Sequence, residues 1–264
     1  MSKTESASHR LKQQNGGGSM IGKTPYKVCW LSAGVSSFVA GWLARDTVDE
    51  FIYIDILDQH SDSDRFIADC ETALGKSITK LEPEYKSVGD VCRTFRFVNS
   101  PRGAKCTEIL KKRVRKKWEH EHRNYALTYV WGMDSGERHR AERIVETMVY
   151  CEHEFPLIEK GLTKEDAHAI CRRLGIRRPA MYDLGYGNNN CVGCVKGGMG
   201  YWNKIRQDFP DVFEDRANME REIGHSILKG TYLDELEPSA GRMSDEIMDD
   251  CGIFCEIAYR EAEP

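Results

Sequence analysis

The sequence predicts a doubly wound α/β fold, a mostly parallel sheet with helices on both faces and a helical carboxyl-terminal extension. Three observations predict it. Short apolar runs at Val28 to Leu31, Phe51 to Ile56, Phe95 to Val98 and Ala126 to Trp131 have the composition of strands buried on both faces. Helical patterns separate them, at Phe38 to Arg45, Ser63 to Leu74, Lys105 to Glu121 and Arg138 to Tyr150. The chain has 264 residues, 40% hydrophobic and 30% charged, enough for one sizeable core under a well-solvated surface.

The first apolar run leads directly into Ser32-Ala33-Gly34-Val35-Ser36-Ser37 and then a helix. Small side chains, hydroxyls and unhindered N–H groups at the positive end of a helix dipole make Ser32, Ala33, Gly34, Ser36 and Ser37 candidate phosphate-binding positions. The spacing fits neither the Walker pattern nor the dinucleotide fingerprint G-x-G-x-x-G, and an ordinary strand-turn-helix without a ligand is the alternative. The second run carries Asp55. In a doubly wound sheet, ligands bind outside the carboxyl ends of strands at the topological switch point, so Asp55 and the Ser32–Ser37 loop are expected to face one crevice. A strand-end aspartate capping a turn is the plainer reading of Asp55.

Residues 1–19, polar and ending in Gly-Gly-Gly-Ser, read as a disordered leader or linker. The net charge of −4 provides no global basic field for nucleic acid. The strip from Lys111 to Trp118 leaves a local polyanion contact open, although such runs on helices are most often solvated faces. No apolar run approaches the roughly 18 residues of a membrane span and the amino terminus lacks a secretory pattern, so a cytoplasmic location without a membrane partner is expected.

Ten cysteines in such a compartment point away from disulfides. Cys29, Cys70, Cys92, Cys151 and Cys171 lie singly in apolar or helical pattern and read as small buried hydrophobes. Cys191 and Cys194 form a Cys-x-x-Cys among glycines, a knuckle able to converge two thiolates on one ion or cluster. Cys251 and Cys255 make a second pair, and Cys106 precedes a helix.

The Ser32–Ser37 loop resembles the Ser-Gly-Gly-x-Asp-Ser loop of the PP-loop, or adenine nucleotide alpha-hydrolase, superfamily, with Ala33 for the first glycine and Ser36 for the aspartate. Further segments, spanning about residues 26–205, resemble its phosphoadenylyl- and adenylyl-sulfate reductases. These are Phe51-Ile-Tyr-Ile-Asp55 with His60 to Phe66; Trp131-Gly132-Met133 to Arg140; His153 to Ile158; Leu162 to Asp166; Arg178 to Tyr186; and Cys191-Val-Gly-Cys194. The mixture is also similar to phage- and island-encoded members related to the sulfur-inserting subunit of DNA phosphorothioation systems.

The resemblance implies a [4Fe–4S] cluster held by Cys106, Cys191, Cys194 and a carboxyl-terminal cysteine, with zinc as the runner-up metal. It assigns Cys255 as that fourth ligand and Cys251 as the nucleophile, with the reverse left open because the family's Cys-Gly-Leu-His ending is altered here. It further implies ATP or an adenylyl-sulfate nucleotide on the loop, with Gly132 and Arg138 contributing to that site, and Mg²⁺ facing Asp55. A sulfur donor such as a cysteine desulfurase or a thioredoxin-like protein is the implied partner, and a nucleic-acid acceptor is a weaker expectation. On this reading residues 20–200 are the nucleotide-binding domain and residues 201–264 a helical extension completing the cysteine site. The expected function is sulfur chemistry, by ATP-driven thiolation or sulfonucleotide reduction. The alternative is a catalytically inactive nucleotide-binding or redox-sensing regulator whose cluster or zinc is structural.

Overall fold

In the computed structural model, the described residues are 22–100, 103–246, 251 and 253. The leader expected at 1–19 and the cysteine at 255 lie outside them. A five-stranded sheet is built from β1 (Thr24–Leu31), β2 (Glu50–Ile54), β3 (Ile78–Leu81), β6 (Tyr125–Val130) and β7 (Glu152–Glu154), in the order β3-β2-β1-β6-β7. The intervening β4 (Asn99–Ser100) and β5 (Gly103–Ala104) form a separate small antiparallel hairpin. β1 runs parallel to β2 and to β6, and β6 parallel to β7. The doubly wound, mostly parallel α/β class is therefore the one observed, with the order reversing between β1 and β6.

Local sequence explains most elements. α1 (Val35–Ala44) is buried from Val35 through Gly41, as expected of a helix covering a parallel sheet. Gly41 lets it lie close: a Cβ there would approach Cys29 Sγ at 3.1 Å and a Phe51 ring carbon at 3.0 Å. α2 (Asp62–Leu74) buries Phe66, Ile67, Cys70 and Leu74 and stops at Gly75, whose positive φ of 64° suits a residue without Cβ.

One expected strand is absent. Phe95-Arg-Phe-Val98 alternates like a strand, but Val88, Val91, Cys92 and Phe95 repeat at helical spacing and form α3 (Val88–Phe95). Ser87 Oγ accepts the Asp90 N–H at 3.0 Å to start this helix, and Arg96 at φ 48° ends it. The two strands missed by pattern, β3 and β7, lie at the sheet edges with partly exposed residues, so neither shows an apolar run.

The chain forms two compact units. The first, holding the described residues through Tyr53 with Ser61–Leu81 and Trp118–Ala180, carries the sheet. It contains α6 (Arg138–Thr147), the short α7 (Pro156–Glu159) and α8 (Lys164–Arg173). The second holds Ile54–His60, Glu82–Lys117 and the described residues from Met181 onward. In it, a helical run begins as α4 (Lys105–Thr107), passes through a π-helical turn (Glu108–Lys112) and continues into α5 (Arg113–Glu121), whose residues from Trp118 onward belong to the first unit. Of the remaining helices, α9 (Ala180–Asp183) is a single turn, while α10 (Met199–Asp208) and α11 (Pro210–Ile223) are longer.

Within the first unit Asp62 ties α2 to the segment before α9. Its carboxylate accepts from Arg65 Nε at 2.7 Å, the Ala180 N–H at 2.8 Å and Arg177 at 3.1 Å. The Arg65 hydrogen bonds hold the Asp62 carboxyl down to about 2, against the opposing effect of burial. A carboxyl depressed in the folded state stabilises fully above its unfolded value, near 3.8, and loses that contribution as pH falls toward 2. Asp62→Asn should therefore flatten the acid limb of the stability profile between about pH 4 and 2; an unchanged limb in acid titrations followed by circular dichroism would refute the assignment.

Candidate functional site

The turn after β1 lies at the switch point of the sheet. Ala33 adopts φ 56°, rare for a residue with Cβ, and α1 begins at Gly34 without a side-chain cap. Ser37 Oγ accepts the Ser32 N–H at 3.0 Å, sits 3.1 Å from Ser32 Oγ and donates to the Gly34 carbonyl at 2.9 Å. The hydroxyls of Ser32 and Ser37 thus brace the loop. Ser36 and Ser37 are buried and Ser32 is half-buried. Gly132, just after β6, packs against this turn so closely that a Cβ would lie 2.3 Å from Ser37 Cα. Ser32, Ala33, Gly34, Ser36, Ser37 and Gly132 are therefore brought together, around the amino end of α1. Arg138 starts α6 half-exposed, preceded by a capping box in which the Asp134 carboxylate accepts the Gly136 N–H at 2.8 Å. Asp55 follows β2 as a half-buried residue and belongs to the second unit.

The second unit carries the cysteines. Cys106, Cys191, Cys194 and Cys251 all line one small cavity, with Ile56, Val88 and Lys111 among its other walls. These thiols come from three segments far apart in sequence. Cys106 sits in the first turn after the β4–β5 hairpin. The π turn that follows brings Lys111 as well as Leu110 to the cavity wall that Cys106 shares, where regular α spacing favours i+3 and i+4. The Cys191–Cys194 turn requires glycine at 193, which has φ 70° and would clash with Val212 at 2.6 Å if it bore a Cβ.

Several groups hold that turn. The Tyr201 hydroxyl accepts the Cys194 N–H at 2.9 Å and donates to the Cys191 carbonyl at 3.3 Å. The Val192 N–H donates to the Asp58 carbonyl at 2.7 Å, while the Asp58 carboxylate accepts the Val88 N–H at 2.6 Å and pairs with Arg216. Cys251 is fixed through its backbone: its N–H donates to Asn190 Oδ1 at 2.9 Å and its carbonyl accepts from Lys111. Thr107 Oγ1 lies 3.9 Å from its sulfur.

The electrostatics divide the four thiols. Burial pushes Cys106 and Cys191 well up and Cys194 to about 11, with neighbouring thiols adding to the effect. Burial also opposes ionisation of Cys251, but the cations of Lys111 and Lys196 and the hydrogen bonds of Thr107 and Lys111 outweigh it and hold this thiol below its ordinary value. The isolated cysteines behave differently from a reactive set. Burial raises Cys29 to about 12, and Cys92 and Cys171 to about 11, keeping them as apolar packing groups.

The surroundings of Trp118, Arg115 and Cys151 are packed. Trp118, at the end of the basic strip, is buried, stacked on His122 at 4.0 Å and hydrogen-bonded to Glu50. Arg115 is also buried, whereas Arg113, Lys116 and Lys117 are exposed at helical spacing. Cys151 lies 3.9 Å from His153 Nε2, but Trp131 Nε1 donates to His153 Nδ1 at 3.0 Å. That bond leaves the imidazole proton on Nε2, facing the Met148 carbonyl at 3.0 Å, so the histidine is no base for this thiol.

Asp58, Lys111 and Tyr201 were not singled out as site residues by sequence. Lys111 was visible only as part of a charged strip, and Tyr201 only as the start of the extension. No local signal marks a backbone carbonyl such as that of Asp58.

No family model matches the chain, and no curated protein matches it. Among solved structures, the chain is similar to phosphoadenylyl-sulfate (PAPS) reductase from Candida auris, determined as a phosphate complex. The identity is 14%, the TM-score is 0.47, and the match covers 72% of this chain and 96% of that one.

Proposed function

We propose that this chain is an iron–sulfur enzyme performing sulfur chemistry on an adenine nucleotide, by ATP-driven thiolation or by reduction of a sulfonucleotide. The observation that carries this reading is the convergence of Cys106, Cys191, Cys194 and Cys251 on one cavity. Four thiols with mostly apolar walls are the donor set of a cysteine-ligated cluster. Zinc would need its thiolates drawn to about 2.3 Å from one point. Among the described residues, no group of three or more His, Cys, Asp and Glu side chains is set to hold a metal ion. Cys251 stands in the cavity wall and is the fourth ligand in this proposal, leaving Cys255 as the candidate free thiol.

The bound cluster would supply one-electron redox chemistry at these four cysteines. The protein's own groups have separate tasks. Three thiols held protonated by burial would release protons on loading, so assembly should be favoured at higher pH. Lys111 and Lys196 place positive charge over Cys251. The amino end of α1, with Gly34 and the flanking serines, is the proposed anion grip for nucleotide phosphates, and Asp55 the proposed Mg²⁺-facing carboxylate. A cysteine desulfurase or a thioredoxin-like dithiol protein is the proposed sulfur or electron donor.

Anaerobic purification with iron and sulfide quantification tests the reading. About four of each per chain with a visible chromophore is expected, and Cys106→Ser or Cys194→Ser should reduce retention to near zero. One equivalent of zinc without colour would overturn it. A second reading, a nucleotide-binding regulator without turnover, is favoured by one observation: Ser37 Oγ is engaged inside its own loop. Pyrophosphate release from ATP supports thiolation, sulfite release with a dithiol donor supports reduction, and binding without either supports the regulator.

A further inference from the structure

The carboxyl-terminal segment crosses the amino end of α10, and one side chain occupies that end. The Glu246 carboxylate accepts the Gly198 N–H at 2.8 Å through one oxygen, and the Gly200 N–H at 2.8 Å and the Tyr201 N–H at 3.2 Å through the other. These donors are left without intrahelical partners at a helix start, where the dipole also favours an anion. The approach depends on missing side chains. A Cβ at Gly198 would lie 2.6 Å from Glu246 Oε2, one at Gly200 2.3 Å from the Arg242 carbonyl carbon, and one at Gly241 2.5 Å from the Gly200 nitrogen. The glycines at 198, 200 and 241 thus serve the crossing strap, a role distinct from Gly193 in the thiol turn.

Tyr201 connects the strap to the thiols. Its N–H binds Glu246, while its hydroxyl spans Cys194 and Cys191. On the other side, Cys251 follows Glu246 by five residues, a stretch that reaches about 18 Å at most. We propose that Glu246 is a positioning residue: its grip on the amino end of α10 sets where Cys251 enters the thiol cavity and holds Tyr201 in register with the Cys191–Cys194 turn. This role rests on the reading of Cys251 as a member of the thiol site.

The test uses the full chain purified anaerobically, with two readouts independent of activity. The first is hydrogen exchange of the Gly198, Gly200 and Tyr201 amides. The second is the rate of Cys251 alkylation by N-ethylmaleimide, assigned by peptide mass spectrometry. Glu246→Ala should accelerate both by roughly tenfold to a hundredfold, the range set by losing hydrogen bonds to a charged acceptor. Glu246→Gln, which keeps one amide oxygen as acceptor, should give an intermediate rescue and serves if the alanine variant does not fold. Asp245→Ala, at the exposed neighbouring position, should change neither. Faster exchange with unchanged Cys251 alkylation would overturn the positioning role, as would no change in either readout. Iron and sulfide are measured on the same samples: their absence from the unmodified protein, with the Glu246 effects intact, would sink the cluster reading alone.

Discussion

Arg216→Ala is expected to destabilise the protein by roughly 3–5 kcal/mol, the cost of leaving a buried charge without its partner. Arg216, on α11, is 4% exposed, and its guanidinium pairs with Asp58 and Asp215. Burial opposes the charged form of Arg216, but the two carboxylates overcome it and hold the guanidinium above its ordinary value. Asp58 is the more consequential partner. Its side chain is 9% exposed, its carboxylate receives the Val88 N–H at the start of α3, and its carbonyl receives the Val192 N–H between the knuckle cysteines. Removing the guanidinium leaves the Asp58 carboxylate desolvated with one N–H for compensation. The loss should therefore reach the thiol turn as well as global stability. Chemical denaturation gives the first number, and a loss below about 1 kcal/mol would contradict a desolvated pair. In a double-mutant cycle, replacing both residues by apolar ones should cost less than replacing Arg216 alone, since no buried charge is then stranded.

Gly132→Ala is the second large effect. The added methyl would meet Ser37 Cα at 2.3 Å and Ser37 N at 2.6 Å, both backbone atoms in the first turn of α1. No side chain can rotate away, so the end of β6 and the start of α1 must separate. We expect a loss of about 3 kcal/mol or more, at the upper end for overpacking, and a fall in Tm of about 6–12 °C. Gly187→Ala is the matched control, because a Cβ there meets nothing within 4 Å, and it should shift Tm little. Equal melting temperatures for the two variants would show that the turn yields easily. Any nucleotide affinity carried by the Ser32–Ser37 loop should fall in the Gly132 variant alone.

How much of this was legible in the sequence depended on the range of the interaction. The β1 turn and α1 were readable because strand, small residues and helix follow one another within a few positions. The Cys191–Cys194 knuckle was equally local. Phe95–Val98 misled because four residues of alternation look like a strand, whereas the helical spacing that prevails begins at Val88. β3 and β7 were silent because edge strands with exposed faces need no apolar run. Lys111 gained its position at the cavity from a π turn, which shifts side-chain phase without any mark in composition.

By itself, the sequence determined the α/β class, the parallel character of the sheet, the small-residue turn after the first strand and the Cys191–Cys194 pair. Each follows from periodicity or residue chemistry over a short stretch of chain. Only the tertiary structure decided that Cys106 and Cys251 join Cys191 and Cys194 at one cavity, that Asp58 and Tyr201 hold the thiol turn, and that Glu246 closes the amino end of α10. Those arrangements depend on backbone groups meeting across many intervening residues, and backbone N–H and C=O groups are the same at nearly every position, so no residue type announces them.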